Sequence, residues 1–219
     1  MAPTRGRPRS TGPSPSGQGT EVDILTAAAR LFCTEGYGST STHRLAEEAG
    51  IRQASIYHYF VGKHAILLAL LQTTVRPSLD VAEHLLDRAE PAPARLWALC
   101  VSDVQLLSSG PVNLGSLYLL PELRDPRFEE FHALRGRLRA AYLSLVSACL
   151  GVGLEEARRS ADLVLALVES VILRRREQPQ LDVTDLAPRI GDAALRILEL
   201  PAETVRDARL QGAGLLGQT

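Results

Sequence analysis

Residues 31–67 read LFCTEGYGSTSTHRLAEEAGIRQASIYHYFVGKHAIL, and the fold turns on this stretch. Just upstream, from Glu21, the apolar residues Ile24, Ala28, Leu31 and Phe32 recur at helical spacing. Gly36 follows where a residue at positive φ ends a helix, so the spacing predicts a first helix stopping there. Ser41 or Thr42 can cap a second helix whose apolar side is Leu45, Ala46 and Ala49, and Gly50 breaks it. Only a few residues later, Gln53 to Phe60 holds Ile56 and Phe60 four apart, with Gln53, Ser55, Tyr57, His58 and Tyr59 distributed around the rest of the turn. One apolar stripe for docking and many polar or aromatic donors facing outward is the pattern of a helix that reads a groove.

Outward from this core the chain divides into four segments. Residues 1–19 are Pro, Gly, Ser, Thr and Arg with almost nothing to bury, and are expected to form a disordered basic arm. Residues 20–65 hold the three short helices. Residues 66–211 are helical in pattern throughout, with expected breaks at Pro77, at Pro91 and Pro93, at Gly110 and Pro111, at Pro121 and Pro126, and at Gly151 and Gly153. Two late segments show the 4,3,4,3 apolar spacing of a bundle seam: Ala157, Ala161, Val164, Val168 and Val171, then Leu186, Ile190, Ala193, Ile197 and Leu200. Pro188 is tolerated in the second if Asp185 caps it, because first-turn amides have no intrahelical partner to lose. From Gly212 the Gly-rich end, residues 212–219, is expected to fray. No strand alternation of useful length appears, so the fold class is all-α.

Bulk properties narrow the function classes. With 219 residues, 45% of them apolar, the chain has enough material for a core. The formal net charge is −1, so any case for nucleic acid must be local. Residues 1–64 supply it, with seven Arg or Lys against five acids. Cys33, Cys100 and Cys149 are odd in number, widely spaced and set in apolar helical surroundings, which suits free thiols in a reducing cytoplasm. No apolar core follows the basic N-terminus to make a signal peptide. The uncharged run from Ala140 to Leu154 is shorter than the roughly 20 residues of a membrane helix. The expected location is therefore cytoplasmic, with no membrane partner. There is no GxSxG, HExxH or GxxxxGK motif and no Cys/His ligand spacing, so no cofactor, metal or catalytic residue is expected.

The stretch from Ile24 to Leu67 resembles the DNA-binding domain of the TetR family of transcriptional regulators, through Leu31-Phe32, Gly36-Tyr37, Thr40, Leu45-Ala46, Ala49-Gly50, Ile56-Tyr57, Phe60 and Lys63. Beyond Leu67 the resemblance is architectural. It implies a helix-turn-helix reader followed by a helical domain that binds a ligand and dimerises. Residue by residue, it implies that Thr42, Tyr57 and Lys63 meet phosphates while Gln53, Ser55 and His58 face base edges. The physics agrees, since Gln pairs in two places with adenine and a lysine at a helix start adds a point charge for a phosphate. Tyr59 and Arg52 depart from the family pattern, which often has His and a capping Ser there. Arg44 and Arg52 are further phosphate candidates.

Thr4-Arg5-Gly6-Arg7-Pro8-Arg9 resembles an AT-hook core, in which Arg5 and Arg7 would lie in a narrow A·T-rich minor groove. Arg174-Arg175-Arg176 is expected to cap and solubilise the end of its helix. The expected partners are double-stranded operator DNA, a small-molecule effector and a second copy of the chain. The effector pocket is expected to draw on Trp97, Val104, Leu107, Tyr118, Phe131 and Tyr142. The dimer interface is expected to use Ala161, Val164, Val168, Val171, Ile190, Ala193 and Ile197. Two other readings stay open: a helical enzyme, which needs paired titratable groups buried around a cavity, and a structural DNA binder, which needs a filled core without a pocket.

Overall fold

The computed structural model describes residues 17–217, and the described residues form helices with no strand. They fall into two compact units that meet in sequence between Leu70 and Leu71, inside one helix.

In the first unit, α1 (Thr20–Thr34), α2 (Thr42–Glu48), α3 (Gln53–Ile56) and the first turns of α4 (Lys63–Leu86) enclose a small core of Ile24, Leu31, Phe32, Leu45, Ile56 and Phe60. Gly36 ends α1 at φ 89° and Gly50 turns the chain between α2 and α3 at φ 64°, conformations that a side chain would strain. Ser41, of the two possible caps, is the one used: its Oγ accepts from the Arg44 amide at 3.1 Å. The regular part of α3 stops at Ile56, and the chain continues through turns to Tyr59.

The second unit holds the rest of α4, then α5 (Ala92–Ser108), three short 3-10 turns between Leu114 and Phe128, α6 (Glu129–Leu150), α7 (Leu154–Glu177), α8 (Leu186–Ile197) and α9 (Ala202–Leu216). The buried α5 is its centre, packed by α6, α7, α8 and α9. Two arginines close helix ends whose last carbonyls lack intrahelical partners. Arg95 Nη1 donates to the carbonyls of Leu85 and Leu86 at the end of α4. Arg175 donates to those of Leu107, Ser109 and Gly110 at the end of α5. Of the arginine triplet, Arg175 is thus buried inside the domain and not at the wet end of its own helix.

Three expectations need correction. Pro77 does not break α4: it lies on the exposed side, and Val75, Ser78, Leu79 and Ala82 on the other side bury enough to outweigh a cost of about 3 kcal/mol. Asp185 stands at the N-cap of α8, but its carboxylate takes Arg189 Nε at 2.7 Å instead of an amide. The Gly-rich end does not fray before Leu216. Gly212 lies in α9 against Trp97, where an added Cβ would come within 2.6 Å of Cε3 and 2.8 Å of the Ala94 carbonyl. The glycine lets α9 approach α5 this closely.

The helix α4 is long enough, with a mean hydropathy of 1.2 over its most apolar window, to cross a membrane. Half of that window is buried within the protein, and Arg76 and Asp80 interrupt it, as suits a core helix.

Candidate nucleic-acid interface and the clefts of the helical unit

The turn between α2 and α3 brings the N-terminal ends of both helices to one surface. Gln53 Nε2 donates to Thr42 Oγ1 at 2.9 Å, so the second helix's leading residue is tied to the first's. Arg52, at the N-cap of α3, makes no side-chain cap hydrogen bond and is exposed. Gln53, Tyr57, His58 and Tyr59 are exposed, the two tyrosines at 55% and 43%, while Ser55 is half-buried. Ile56 and Phe60 turn inward. A short helix and following turn that bury Ile56 and Phe60 and leave Arg52, Gln53, Tyr57, His58 and Tyr59 exposed have no packing reason for their aromatic content. Contact with a nucleic acid supplies one.

Two of the expected phosphate contacts are otherwise engaged. Lys63 points back into its own unit, donating to the carbonyls of Tyr37 at 2.6 Å, Thr40 at 2.9 Å and Gly38 at 3.4 Å, with its ammonium over the Tyr37 ring. An ammonium has three protons, and these carbonyls account for all of them. Arg44 faces Glu35, Glu47 and Glu48 at 3.3–3.4 Å. Arg30 pairs with Glu48 as well, and that hydrogen bond holds the Glu48 carboxyl below its usual range. Arg5 and Arg7 lie outside the described residues.

In the helical unit the six expected pocket residues separate. Tyr118 and Phe131 line a cleft of about 610 Å³ between the 3-10 turns and α6. Tyr142 lines a second cleft of about 310 Å³ between α6 and α7. Trp97, Val104 and Leu107 line neither: Val104 and Leu107 are core, and Trp97 is closed in by α8 and α9, its Nε1 donating to Asp192 Oδ1 at 2.9 Å. Arg209 holds the other carboxylate oxygen at 3.2 Å. What sequence reading missed is the basic lining of the larger cleft, Arg124, His132, Arg135 and Arg139. The signal was present, since Phe131, Arg135 and Arg139 stand at i, i+4 and i+8, one face of a helix.

A buried acid sits nearby. Asp103 on α5 accepts from Tyr142 Oη at 2.7 Å and from Ser78 Oγ, and burial pushes its carboxyl up to about 6 from the usual 3.8. Cys100 is also buried, and none of the three cysteines is in a disulfide. No group of His, Cys, Asp and Glu with metal-binding geometry occurs among the described residues.

The expected dimer seam is likewise redistributed. Ala161, Val164, Val168, Val171 and Ile190 are buried within the chain's own helical unit, Ala193 is half-buried and Ile197 is 38% exposed. The strongest apolar stripe of α7 is consumed by the domain's own core. Its next stripe, with Leu163 at 59% and Leu173 at 56% exposure, faces outward.

Comparison with known proteins agrees with this architecture. Residues 24–70 match the family model "Bacterial regulatory proteins, tetR family". The crystal structure of Mycobacterium smegmatis AmtR superposes with a TM-score of 0.81 at 44% identity, covering 93% of this chain and 98% of that one. Among curated proteins, the fatty acid metabolism regulator protein of Bacillus subtilis is 26% identical over 151 residues, 69% of this chain and 76% of that protein. The HTH-type transcriptional regulator EthR of Mycolicibacterium smegmatis is 39% identical over 62 residues, 28% of this chain and 29% of that protein. The helix-turn-helix with its exposed α3 and the near full-length likeness to AmtR lead to one conclusion: the chain belongs to the tetR family of bacterial regulatory proteins and is a DNA-binding transcriptional regulator.

Proposed function

We propose that the chain is a cytoplasmic repressor that binds a palindromic operator as a homodimer and is released by a small-molecule effector. The observation that carries the DNA part is the exposed ring of Arg52, Gln53, Tyr57, His58 and Tyr59 around a helix whose apolar anchors are Ile56 and Phe60. Gln53, Ser55 and His58 read base edges, and Thr42, Arg52 and Tyr57 meet phosphates. Tyr59 stands beside them with its hydroxyl free to reach the backbone. Lys63 supports the surface from within, and Arg44 stands at its edge, paired with Glu35, Glu47 and Glu48. Arg5 and Arg7 add minor-groove contacts to A·T-rich flanks.

Two copies pair through the outward stripe of α7 and the neighbouring Ala193 and Ile197 of α8, giving a four-helix bundle and two reading helices related by a two-fold axis. Operator symmetry follows from that axis. The effector binds better to the conformation with wrongly spaced readers and lowers DNA affinity by its differential binding free energy. The two clefts of the helical unit support a ligand-responsive reading over a purely structural DNA binder, because the larger falls within the range of about 300–1,000 Å³ usual for small-molecule sites.

Selection of bound sequences from random duplex DNA with the full chain tests the proposal. The expected product is an inverted repeat whose binding weakens steeply with salt. Enrichment of no sequence, or of a lone half-site with no partner at fixed spacing, would overturn it.

A further inference from the structure

We propose that the cleft between residues 118–124 and α6 binds a small amphipathic anion, a carboxylate or phosphate carried on an apolar or aromatic body. Its regulatory consequence rests on the effector reading above; its binding chemistry does not. The walls supply two kinds of surface. Tyr118 and Phe131, with ring centroids 5.4 Å apart, together with Leu123 make an apolar floor, and Leu119, 61% exposed, stands on the rim. Arg124, Arg135 and Arg139 line the same cleft with His132, and no carboxylate is among the lining residues.

The pairing of the arginines distinguishes this cleft from the surface around it. On the same segment Arg127 pairs with Asp125, Arg137 with Glu83, and Glu130 with Arg76. Arg124 and Arg139, which face the cleft, make neither an ion pair nor a hydrogen bond among the described residues. Arg135 lies between the two conditions: it pairs with Glu169 while its guanidinium rests over the Tyr118 ring at 4.7 Å. Two unpaired arginines lining a cleft that also has an apolar surface favour a ligand with an anionic head, because each can give charge-assisted and bidentate hydrogen bonds to a planar or tetrahedral oxyanion. A neutral apolar ligand would leave those donors unused.

The cleft also touches the helix that leads to the reader. Tyr118 Oη and Thr74 Oγ1 on α4 are hydrogen-bonded at 2.6 Å, and Arg76 on α4 pairs with Glu130 in the first turn of α6. An anion that competes with Glu169 for Arg135 disturbs the cation over Tyr118 and hence the Tyr118–Thr74 contact. This gives ligand occupancy a physical route to α4.

Two fluorescent probes with similar hydrophobic bodies test the inference on the full chain: anilinonaphthalene sulfonate, an anion, and N-phenyl-1-naphthylamine, which is neutral. The double variant Arg124→Gln/Arg139→Gln is expected to weaken the anion by about tenfold or more, as loss of two charge-assisted contacts implies, and to leave the neutral probe unchanged. Octanoate and octyl phosphate should displace the anionic probe and octanol should not; their ranking separates carboxylate from phosphate recognition. Arg174→Gln/Arg176→Gln, on exposed arginines of α7, serves as the charge control and should bind both probes as the parent does. Thermal melts that superimpose on the parent's show that the variants fold, and Arg139→Gln alone replaces the double variant should it not. If the cleft variant binds the anion as the parent does, or loses both probes equally, the proposal is overturned. DNA binding is measured separately. A parent that selects an operator while its anion binding ignores these arginines overturns the cleft proposal and leaves the repressor reading standing. A parent that selects no DNA does the reverse when the probe results hold.

Discussion

Lys63 and Tyr37 are joined twice, by an ammonium 4.2 Å from the ring centroid and by a 2.6 Å hydrogen bond from that ammonium to the Tyr37 carbonyl. The lysine thereby fastens the first turn of α4 to the loop 37–40 that leads into α2. A residue placed for phosphate contact by its charge and position is, in the DNA-free protein, a clasp.

Lys63→Met is therefore expected to destabilise the reader by about 1.5–3 kcal/mol, the range for hydrogen bonds made by a charged group. The slope of log affinity against log salt should stay as in the parent, whereas loss of a true phosphate contact lowers it by about one unit. Urea unfolding followed by circular dichroism gives the first quantity and salt titration of operator binding the second. A shallower slope with unchanged stability would return Lys63 to the phosphate role.

Gln53 offers the complementary case. Its amide already holds Thr42 Oγ1 at 2.9 Å, so the side chain is oriented before DNA arrives. Gln53→Ala is expected to relax discrimination at one base pair of each half-site by about 1–3 kcal/mol while barely changing affinity for random duplex. Competition binding with single-position operator variants reads this directly. Equal losses on every sequence would make Gln53 a positioning contact.

Asp103 makes stability depend on pH with a definite sign. Its folded pKa, about 6, lies above the usual 3.8 because burial disfavours the charge. Between those values the folded state keeps a proton that the unfolded state has lost, so this group's contribution to stability falls as pH rises from 4 to 6 and is level above that. Asp103→Asn removes the penalty. Hydroxyl rotation lets Ser78 or Tyr142 accept from the new amide. The variant is expected to be more stable than the parent at pH 7.5 by up to about 3 kcal/mol, with the gap closing toward pH 4. Urea midpoints at the two pH values check it, and a gap that widens on acidification would refute the assignment.

The reader was legible in the sequence because local rules decide it. Gly36 and Gly50 stop helices by backbone geometry, Ser41 caps by its own side chain, and Ile56 and Phe60 fix the inward side of α3. The helical unit was legible only in outline, because there tertiary partners decide. A 4,3,4,3 stripe marks the most apolar face of α7 without saying whether the chain itself or another copy covers it. Aromatic content pointed to Trp97 as a pocket wall, yet only the glycines at 191 and 212, far along the sequence, show that α8 and α9 close on it. The cleft arginines leave no mark in apolar periodicity, which follows the buried face of α6 and not the face that Arg135 and Arg139 share.

Gly212→Ala tests the tertiary role of a glycine that composition alone assigns to a loose tail. Its Cβ would meet Trp97 Cε3 at 2.6 Å and the Ala94 backbone carbonyl at 2.8 Å, and the backbone cannot yield as a flexible side chain could. Helix propensity would favour alanine by nearly 1 kcal/mol. Overpacking is nonetheless expected to prevail and destabilise the domain by about 1–3 kcal/mol. Gly214→Ala has open space and should stabilise slightly. Thermal melts of the two variants should therefore move in opposite directions, and a common shift would show that α9 is not held against Trp97.

Leu163 and Val164 are neighbours on α7 with opposite environments, one 59% exposed and the other fully buried in the chain's own core. They separate dimerisation from folding. Val164→Asp places an unpaired charge inside the domain and is expected to cost several kcal/mol, enough to unfold it or leave it aggregated. Leu163→Asp places the charge on the outward stripe of α7 that includes Leu173. It should leave the monomer's helix content and urea midpoint nearly intact when compared at low protein concentration, while shifting sedimentation from dimer to monomer. Operator affinity should then fall sharply, because two half-sites no longer bind as one unit. A Leu163→Asp protein that still sediments as a stable dimer would move the interface off this face of α7. A Val164→Asp protein that folds as a soluble monomer would mean that the buried stripe, and not the outward one, is what a second copy covers.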